Sequence, residues 1–334
     1  MDVVILGAGS LGQTFAVLLA RHQASVILVG TPESVNRLVQ KGIVLDGKDQ
    51  AQVPVYDMPA SIKDVKPGQI VASTELAEDI SIGGVIACTK AHQLRDALDR
   101  ISSLRPQLVI GFQNGLTKDA VLSERFGQDV VAGAVTIIGA DRQEDGTIYI
   151  SGRGATFIGP LSTVSSRHLE ESAQFIITAL NEANYPAEWR SDIVSVEWSK
   201  AVMASATFGI AVLTQSTMGK IFSREPWTQG FLDLLEDAAS VADSLQIPLC
   251  DLPGFPVQYF RTESREVITR RLRQASESLA TVRVSMLQDV MAGRSLEVDE
   301  VVGSLIAHAD SVHLAVPRLR FTYRILRGFS PLPE

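Results

Sequence analysis

The sequence predicts an α/β protein with two domains, a doubly wound parallel sheet over residues 1–190 and an all-helical domain over residues 191–334. In the first half, short apolar runs alternate with helix-like segments, which is typical of parallel βαβ units. In the second half, every long segment has helical periodicity. A chain of 334 residues is long enough to form two separate hydrophobic cores.

The composition narrows the class of protein. With 46% hydrophobic and 20% charged residues, the chain is an ordinary globular one. Its net charge of -8 argues against nucleic acids and anionic membranes as partners. Cys88 and Cys250 lie far apart, and the N-terminus lacks the basic region of a signal peptide, so we expect a cytoplasmic protein. The histidines form no paired ligand motif, and no metal site is expected.

The chain begins with a strand, a glycine-rich turn and a helix. The apolar run 2–6 precedes the sequence GAGSLG, and a helix-like segment follows. Gly7 permits a tight turn, Gly9 lets the backbone approach phosphates, and Gly12 lets the helix pack closely on the strand. A bland glycine-rich turn is the alternative, but this context favours a Rossmann-type dinucleotide site. Its predicted residues are Gly7, Ala8, Gly9, Ser10, Leu11 and Gly12.

The end of the second predicted strand, 24–30, should select the cofactor. An acidic residue there binds the ribose hydroxyls of NAD, whereas a basic residue binds the extra phosphate of NADP. Neither is present, because Thr31 follows the strand as the N-cap of a helix. Glu33 could bind the ribose, although the helix dipole explains its position better. Thr31 and the helix N-terminus, with Arg37 within reach, could hold a phosphate, so NADP is favoured and NAD is not excluded.

Two further strand ends carry polar residues. Lys90 follows the predicted strand 84–88, and Asn114 follows the predicted strand 107–112. Ligands bind at the carboxyl ends of strands in open α/β sheets. Lys90 is therefore a candidate contact for a phosphate or carboxylate, with a solvated loop lysine as the alternative. Asn114 could contact nicotinamide, ribose or substrate, although Asn-Gly is also a common turn.

Periodicity predicts the remaining elements. Strands are expected at 42–45, 53–55, 70–72, 130–140, 147–151, 155–158 and 187–189. Helices are expected at 166–183, 194–211, 226–245, 264–291, 297–309 and 317–327. The helical domain should therefore carry the residues that contact the substrate.

Three residues of the helical half attract attention. Lys200 lies in a strongly apolar helix, where an ammonium group is costly to bury. Desolvation lowers a lysine pKa toward neutrality, which suits a general acid. Ser285 and Glu297 lie on either side of a predicted helix end at Gly293, and Ser295 is expected to cap the next helix. The simpler interpretation is that Ser285 faces solvent and that Glu297 merely occupies a favourable first turn.

Seven short segments, taken in order, carry a family resemblance. They are GAGSLG at 7–12, TKA at 89–91, QNGL at 113–116, IGP at 158–160, EWSK at 197–200, SMLQD at 285–289 and EVD at 297–299. In this order and spacing, the chain resembles the ketopantoate reductase (2-dehydropantoate 2-reductase) family along essentially its whole length. Pro317 also fits the start of the family's final helix.

The resemblance implies NADPH-dependent reduction of a 2-oxo acid, most simply 2-dehydropantoate to pantoate in pantothenate biosynthesis, by a homodimer. Lys200 falls on the family's catalytic lysine, which acts as general acid. Glu297 falls on the acidic residue that arranges the substrate and the lysine, and Ser285 falls on a contact to the substrate carboxylate. Lys90 and Asn114 fall at the junction of cofactor and substrate.

Four positions depart from the family pattern. Ala204, Phe208 and Val282 replace asparagines of the ketopantoate-specific members, and Thr31 replaces the usual arginine. A site that holds a substrate hydroxyl through hydrogen bonds discriminates strongly, and apolar residues lose that discrimination. Two alternatives therefore stay open: a reductase of a more apolar 2-oxo acid, and a non-catalytic nucleotide-binding regulator.

Overall fold

The computed structural model describes residues 1–162 and 167–329, which fall into two compact units. The first, here called the sheet unit, comprises Met1–Gln113 and Lys118–Ile193. The second, the helical unit, comprises Asn114–Thr117 and Val194–Glu334. Each unit has its own buried apolar core.

The strands of the sheet unit alternate with helices from its N-terminus. The strands are β1 (Asp2–Leu6), β2 (Ser25–Val29), β3 (Ile43–Gly47), β4 (Ala51–Val53), β5 (Tyr56–Asp57), β6 (Ile70–Ser73), β7 (Ser81–Ala87), β8 (Arg105–Gly111), β9 (Ala132–Thr136), β10 (Gly139–Arg142), β11 (Ile148–Gly152), β12 (Thr156–Pro160) and β13 (Ala187–Trp189). The helices are α1 (Ser10–Arg21), α2 (Pro32–Lys41), α3 (Leu94–Asp99), α4 (Lys118–Phe126) and α5 (Arg167–Glu182). Residue 166, the predicted start of α5, lies outside the described residues.

The main sheet has six parallel strands in the order β5-β6-β2-β1-β7-β8. β1 lies between β2 and β7, and β2 is buried on both faces, as in sheets covered by helices on each side. This sheet confirms the predicted Rossmann-type fold. Because the strands are parallel, the residues that follow β1, β2 and β7 lie along one edge.

Two smaller sheets complete the unit, in the orders β10-β11-β3-β4 and β13-β12-β9. The predicted strand 130–140 is therefore wrong as one element, because its two halves belong to different sheets. The amide of Ile137 donates to the carbonyl of Ala155 and so extends the pairing of β9 with β12, and the chain leaves that sheet before β10 begins at Gly139. The predicted strand 53–55 is also displaced, since Pro54 has no amide proton and separates β4 from β5.

The helical unit contains α6 (Ile193–Thr214), α7 (Met218–Phe222), α8 (Glu225–Ser244), α9 (Val257–Thr262), α10 (Arg265–Ala275), α11 (Ser285–Met291), α12 (Ser304–Ser311) and α13 (Pro317–Arg327). A short antiparallel pair, β14 (Asp251–Leu252) and β15 (Phe255–Pro256), means that the predicted all-helical description is not complete. α6 is long and apolar enough to cross a membrane, but 83% of its apolar window is buried in the structure.

The predicted helix 264–291 is interrupted between α10 and α11. The amides of Met218 and Gly219, at the start of α7, donate to the carbonyls of Val282 and Leu279. Gly219 also lies so close to this segment that a Cβ atom there would be 2.3 Å from the carbonyl oxygen of Ser276. These tertiary contacts hold the backbone of residues 276–284 out of a helix.

The region after α11 is also irregular. Gly293 has a φ of +63° and follows the C-cap, so its predicted role as helix terminator is confirmed. Ser295 is not the next cap, because the following helical turn begins only at Val298. The amide of Val301 donates to the carbonyl of Glu297, which therefore precedes the helix. A π-helical turn, Asp299–Gly303, then leads into α12.

Candidate active site

The glycine loop leaves the N-terminus of α1 open. Gly7 has a φ of +114°, and a Cβ atom on Gly12 would lie 2.0 Å from the oxygen of Gly7. Gly9 is the N-cap of α1 and differs from both, because the nearest heavy atom to its missing Cβ is the Cys88 oxygen at 4.0 Å. Within the described structure no side chain caps α1, and its first turn has no acidic residue. Free amides beside an open glycine fit a pyrophosphate.

Two side chains fix the shape of this loop. The buried Gln13 donates from Nε2 to the carbonyl oxygen of Ala8 at 2.9 Å. Arg142, on β10, donates from Nη2 to the same oxygen at 3.1 Å. Sequence analysis missed both residues. Gln13 could have been noticed as a polar residue in an apolar helix, whereas no local signal connects Arg142 with Ala8.

The end of β2 confirms the predicted N-cap. The Oγ1 atom of Thr31 accepts from the amide of Ser34 at 3.3 Å and donates to its hydroxyl at 3.0 Å. Pro32 occupies the first helical position, and Glu33 is an exposed residue of the first turn. Arg37 lies farther along α2, half-buried. The first turn of α2 therefore carries a hydroxyl engaged in capping, not one pointing freely to a ligand.

Lys90 follows β7 at the same edge of the sheet. It is half-buried and precedes a 3-10 turn, Ala91–Gln93. Its neighbour Thr89 accepts a hydrogen bond at 3.3 Å from Nε2 of Gln113, which ties together the segments that follow β7 and β8. The glycine loop, Thr31 and Lys90 thus follow three neighbouring strands, as predicted. The Cys88 thiol lies here too, and burial raises its pKa, so it is no reactive thiolate.

Lys200 lies on α6 in a turn that is firmly held. Ser199 is fully buried, donates to the Ser195 carbonyl at 2.7 Å and accepts from the Cys250 amide at 2.8 Å. Lys200 itself is half-buried. The backbone that carries the Lys200 ammonium group is thus held in place by its neighbour, and a general acid needs such positioning.

The other predicted residues of the helical unit lie at the starts of helices. Glu297 is 6% exposed and immediately precedes the helical turn at Val298. Ser285 is exposed at the first position of α11. The turn after α11 is held by the buried Asp289, whose Oδ1 accepts from Arg294 Nε at 2.8 Å.

Asn114 belongs by its contacts to the helical unit, although it follows the last strand of the main sheet. The reason is Gly115, whose φ is +90° and whose Cβ would lie 2.0 Å from the carbonyl oxygen of Glu300. This backbone packs directly on the π-helical turn that follows Glu297. The segment that carries Asn114 is thus held against Glu300, which follows the predicted acidic residue Glu297 by three positions in the sequence.

The positions that depart from the family pattern differ in exposure. Ala204 is 3% exposed, Phe208 is half-buried against the helical core, and Val282 is 40% exposed. The His308 ring packs on Trp198 at a centroid distance of 5.0 Å and a tilt of 54°, and burial lowers the pKa of His308. No cluster of three metal-ligating side chains occurs in residues 1–162 and 167–329.

Comparison with known proteins extends over both halves of the chain. The family described as "Ketopantoate reductase PanE/ApbA" matches residues 3–163, and its C-terminal family matches residues 192–330. A 2-dehydropantoate 2-reductase of Pyrococcus abyssi is 26% identical, with 98% of this chain and 97% of that protein covered. One of Pyrococcus horikoshii is 24% identical, with coverages of 95% and 93%.

Solved structures share the fold. D-mandelate dehydrogenase with NADH and anilino(oxo)acetate has a TM-score of 0.80 at 18% identity, with 98% of each chain covered. A PanE/ApbA family ketopantoate reductase of Ralstonia eutropha has a TM-score of 0.75 at 22% identity, also with 98% of each chain covered. Because both of its halves match, this chain belongs to the ketopantoate reductase PanE/ApbA family of pyridine-nucleotide-dependent oxidoreductases, which act on the 2-oxo acid/CH–OH pair.

Proposed function

We propose that this protein uses NADPH to reduce 2-dehydropantoate to pantoate. The observation that carries the proposal is the uncapped N-terminus of α1 over the open Gly9. The family match and the 2-dehydropantoate 2-reductases among its relatives support the substrate. We further propose that residues 1–190 bind the dinucleotide, that residues 191–334 bind substrate and form a homodimer, and that the protein is cytoplasmic.

The proposed cofactor residues act mainly through the backbone. Amides of Gly9, Ser10, Leu11 and Gly12 would face the pyrophosphate at the positive end of the α1 dipole. The bound nucleotide supplies a hydride for the substrate. Lys90 would add a positive charge at the same edge of the sheet. NADP is favoured over NAD because the end of β2 carries no acidic residue at Thr31.

Lys200 would provide the proton. When a hydride reaches the carbonyl carbon of a 2-oxo acid, negative charge develops on the carbonyl oxygen. An ammonium group placed there stabilises that charge and transfers one proton, which leaves a hydroxyl on the product and a neutral amine on Lys200. Glu297 would orient the lysine and the substrate, while Ser285 and Asn114 would bind the substrate's polar groups.

A second substrate class is a more apolar 2-oxo acid. Ala204, Phe208 and Val282 stand where asparagines occur in ketopantoate-specific members, and Ala204 is almost fully buried. A solved structure of the same fold is a D-mandelate dehydrogenase, an enzyme whose name specifies an aromatic hydroxy acid. The same Lys200 chemistry would serve either substrate.

The test is the initial rate of oxidation of NADPH, and separately of NADH, with 2-dehydropantoate and with a panel of apolar 2-oxo acids. We expect the highest kcat/KM for 2-dehydropantoate with NADPH. Faster turnover of an aromatic 2-oxo acid would move the assignment to the second class. Tight nucleotide binding without turnover of any 2-oxo acid would contradict both and indicate a regulator.

A further inference from the structure

The end of β2 lies in a crowded corner of the sheet unit. A Cβ atom on Gly30 would lie 2.9 Å from Cβ of Ala8 and 3.5 Å from Cβ of Ser34. The strand end, the glycine loop and the first turn of α2 therefore approach as closely as their backbones allow. A group bound beside Gly30 would therefore be contacted by long side chains whose Cα atoms lie outside this corner.

Arg37 is the first such side chain. It lies three residues after Ser34, on the helix face that points to Gly30. Side chains on a helix lean toward its N-terminus, so the guanidinium group extends back toward the end of β2. Its Nη2 atom is buried and has no hydrogen-bond partner in the part of the chain that the structure describes. A buried donor without an acceptor is costly, which indicates that an anion is to be bound there.

Arg142 is the second. It ends β10, and its Nη2 atom lies 3.1 Å from the oxygen of Ala8, which packs on Gly30. The turn that follows Arg142 contains Gly146, and a Cβ there would be 3.7 Å from Cδ of Arg37. One hairpin, β10–β11, thus carries one arginine and contacts the other. The Arg142 guanidinium group is therefore anchored at Ala8, and the Arg37 side chain lies against the hairpin that carries Arg142.

We propose that Arg37 and Arg142 together bind the 2′-phosphate of NADP, in place of the single basic residue that position 31 lacks. Guanidinium groups bind phosphate oxygens through charge-assisted hydrogen bonds, and two of them match the charge of a phosphate dianion. The exposed Glu33 lies one turn before Arg37, where solvent screens its repulsion of the phosphate. This inference rests on the proposed use of NADP.

The experiment measures nucleotide binding by calorimetry on the full-length protein, without substrate. The probes are adenosine 2′,5′-bisphosphate, which carries the 2′-phosphate, and ADP, which lacks it. The variants are R37Q and R142Q, with R105Q as the matched control. Arg105 is the first residue of β8, so it lies at the amino ends of the parallel strands and not at the carboxyl ends where the nucleotide is expected. Its side chain is 67% exposed.

We expect R37Q and R142Q each to weaken the binding of the bisphosphate by about tenfold to a hundredfold, as for loss of a charged hydrogen bond. Binding of ADP should change by less than about twofold in R37Q, and R105Q should leave both affinities unchanged. R142Q also loses the bond to the Ala8 carbonyl, so its ADP binding should weaken, but less than its binding of the bisphosphate. Raised salt should weaken bisphosphate binding more in the parent protein than in the variants. R37K and R142K, which keep the charge and the packing stem, should recover part of the affinity.

Equal losses for both nucleotides, or no loss, would overturn the arginine pair. If the parent protein binds ADP as tightly as the bisphosphate, this inference fails, while the nucleotide site at α1 stands. If it binds neither, the proposed function itself fails. Thermal unfolding of each variant distinguishes loss of folding from loss of binding. If a glutamine variant does not fold, the bisphosphate affinities of R37K and R142K test the arginine pair instead.

Discussion

The two units carry their candidate residues in different ways. In the sheet unit the candidate nucleotide site consists mainly of backbone. It comprises the amides at the start of α1 and the loop glycines, of which Gly7 and Gly12 have no room for a Cβ atom. In the helical unit the candidate residues are side chains, with Lys200 on α6 and Glu297 immediately before the helical turn at Val298. A backbone site depends on a few glycines in one stretch, whereas a side-chain site can keep its reactive group while its surroundings change. Under the proposed function, we therefore expect substrate preference to change through residues of the helical unit.

The largest effect should come from removing the reactive side chain. We expect Lys200→Met to lower kcat by about a hundredfold to ten-thousandfold, the usual contribution of general acid catalysis. Nucleotide affinity should stay within about twofold of the parent value, because the proposed contact of Lys200 is with the 2-oxo acid and not with the nucleotide. Stopped-flow and fluorescence titration measure the two quantities. Lys220→Met, on the exposed side of α7, is the control, and a similar loss there would contradict the assignment.

The corresponding change in the backbone half is Gly12→Ala. Its Cβ would lie 2.0 Å from the oxygen of Gly7, so α1 and the loop must separate. Overpacking of this kind costs about 1–3 kcal/mol of unfolding free energy. Urea unfolding should show this loss, and nucleotide binding should fall with it. Gly152→Ala is the control, because its Cβ would meet no described atom within 4 Å.

Gly115→Ala tests whether the helical unit also depends on backbone at one point. The added Cβ would collide with the Glu300 carbonyl, and the φ of +90° is strained for alanine. We expect a loss of about 1–3 kcal/mol in stability, with a raised KM for the 2-oxo acid because the Asn114 segment shifts. Gly127→Ala is the control for backbone strain. Gly127 has a similar φ of +87°, but an added Cβ atom there would meet no described atom within 4 Å. Equal effects in both variants would exclude a role for the close contact with Glu300.

Gly9→Ala should separate binding from stability in the glycine loop. The nearest atom to its Cβ position is 4.0 Å away, so unfolding free energy should change by less than about 0.5 kcal/mol. A methyl group over the α1 N-terminus should nevertheless weaken nucleotide binding about tenfold, a loss of one hydrogen bond's worth of free energy. Calorimetric titration with NADPH measures this. Unchanged affinity would mean that the pyrophosphate does not lie over Gly9.

The smallest effect concerns His308, which belongs to the helical core and not to the reaction. Burial lowers its pKa in the folded state, so the unfolded chain binds more protons as the pH falls below the ordinary histidine value. Stability should therefore decrease between pH 7.5 and pH 5.5, and the decrease should be smaller in His308→Gln. Urea unfolding followed through the adjacent Trp198 measures this. An identical pH dependence in the two proteins would contradict it.

The sequence was sufficient where structure is determined locally. The glycine motif and the Thr31 cap depend on neighbouring residues, and the structure agrees with them. The grouping of polar residues after β1, β2 and β7 followed from the topology of parallel sheets. The position of Lys200 on a helix also followed, whereas Glu297 lies just before the helix that it was expected to begin. The catalytic roles of both residues remain predictions.

The sequence was insufficient where distant backbone groups decide. The break at residues 276–284 arises from amides of Met218 and Gly219, about sixty residues earlier, which no periodicity reveals. Arg142 binds Ala8 across 134 positions, and only the antiparallel pairing of β10 with β11 brings it there. Ser295 is a residue type that often caps helices. The helix nevertheless starts later, because the carbonyl of Glu297 accepts from the amide of Val301.

The four residues Asn114–Thr117 give the polypeptide an unusual connectivity. The chain leaves the sheet unit after Gln113, returns at Lys118, and leaves again after Ile193, so three peptide bonds link the units. A protease that cuts once near residue 193 would consequently leave residues 114–117 on the N-terminal fragment, held against the C-terminal fragment by noncovalent contacts such as that of Gly115 with Glu300. A recombinant fragment starting at residue 194 would lack the loop that fits against Glu300. Chimeras with related enzymes should therefore exchange residues 114–117 together with the C-terminal half.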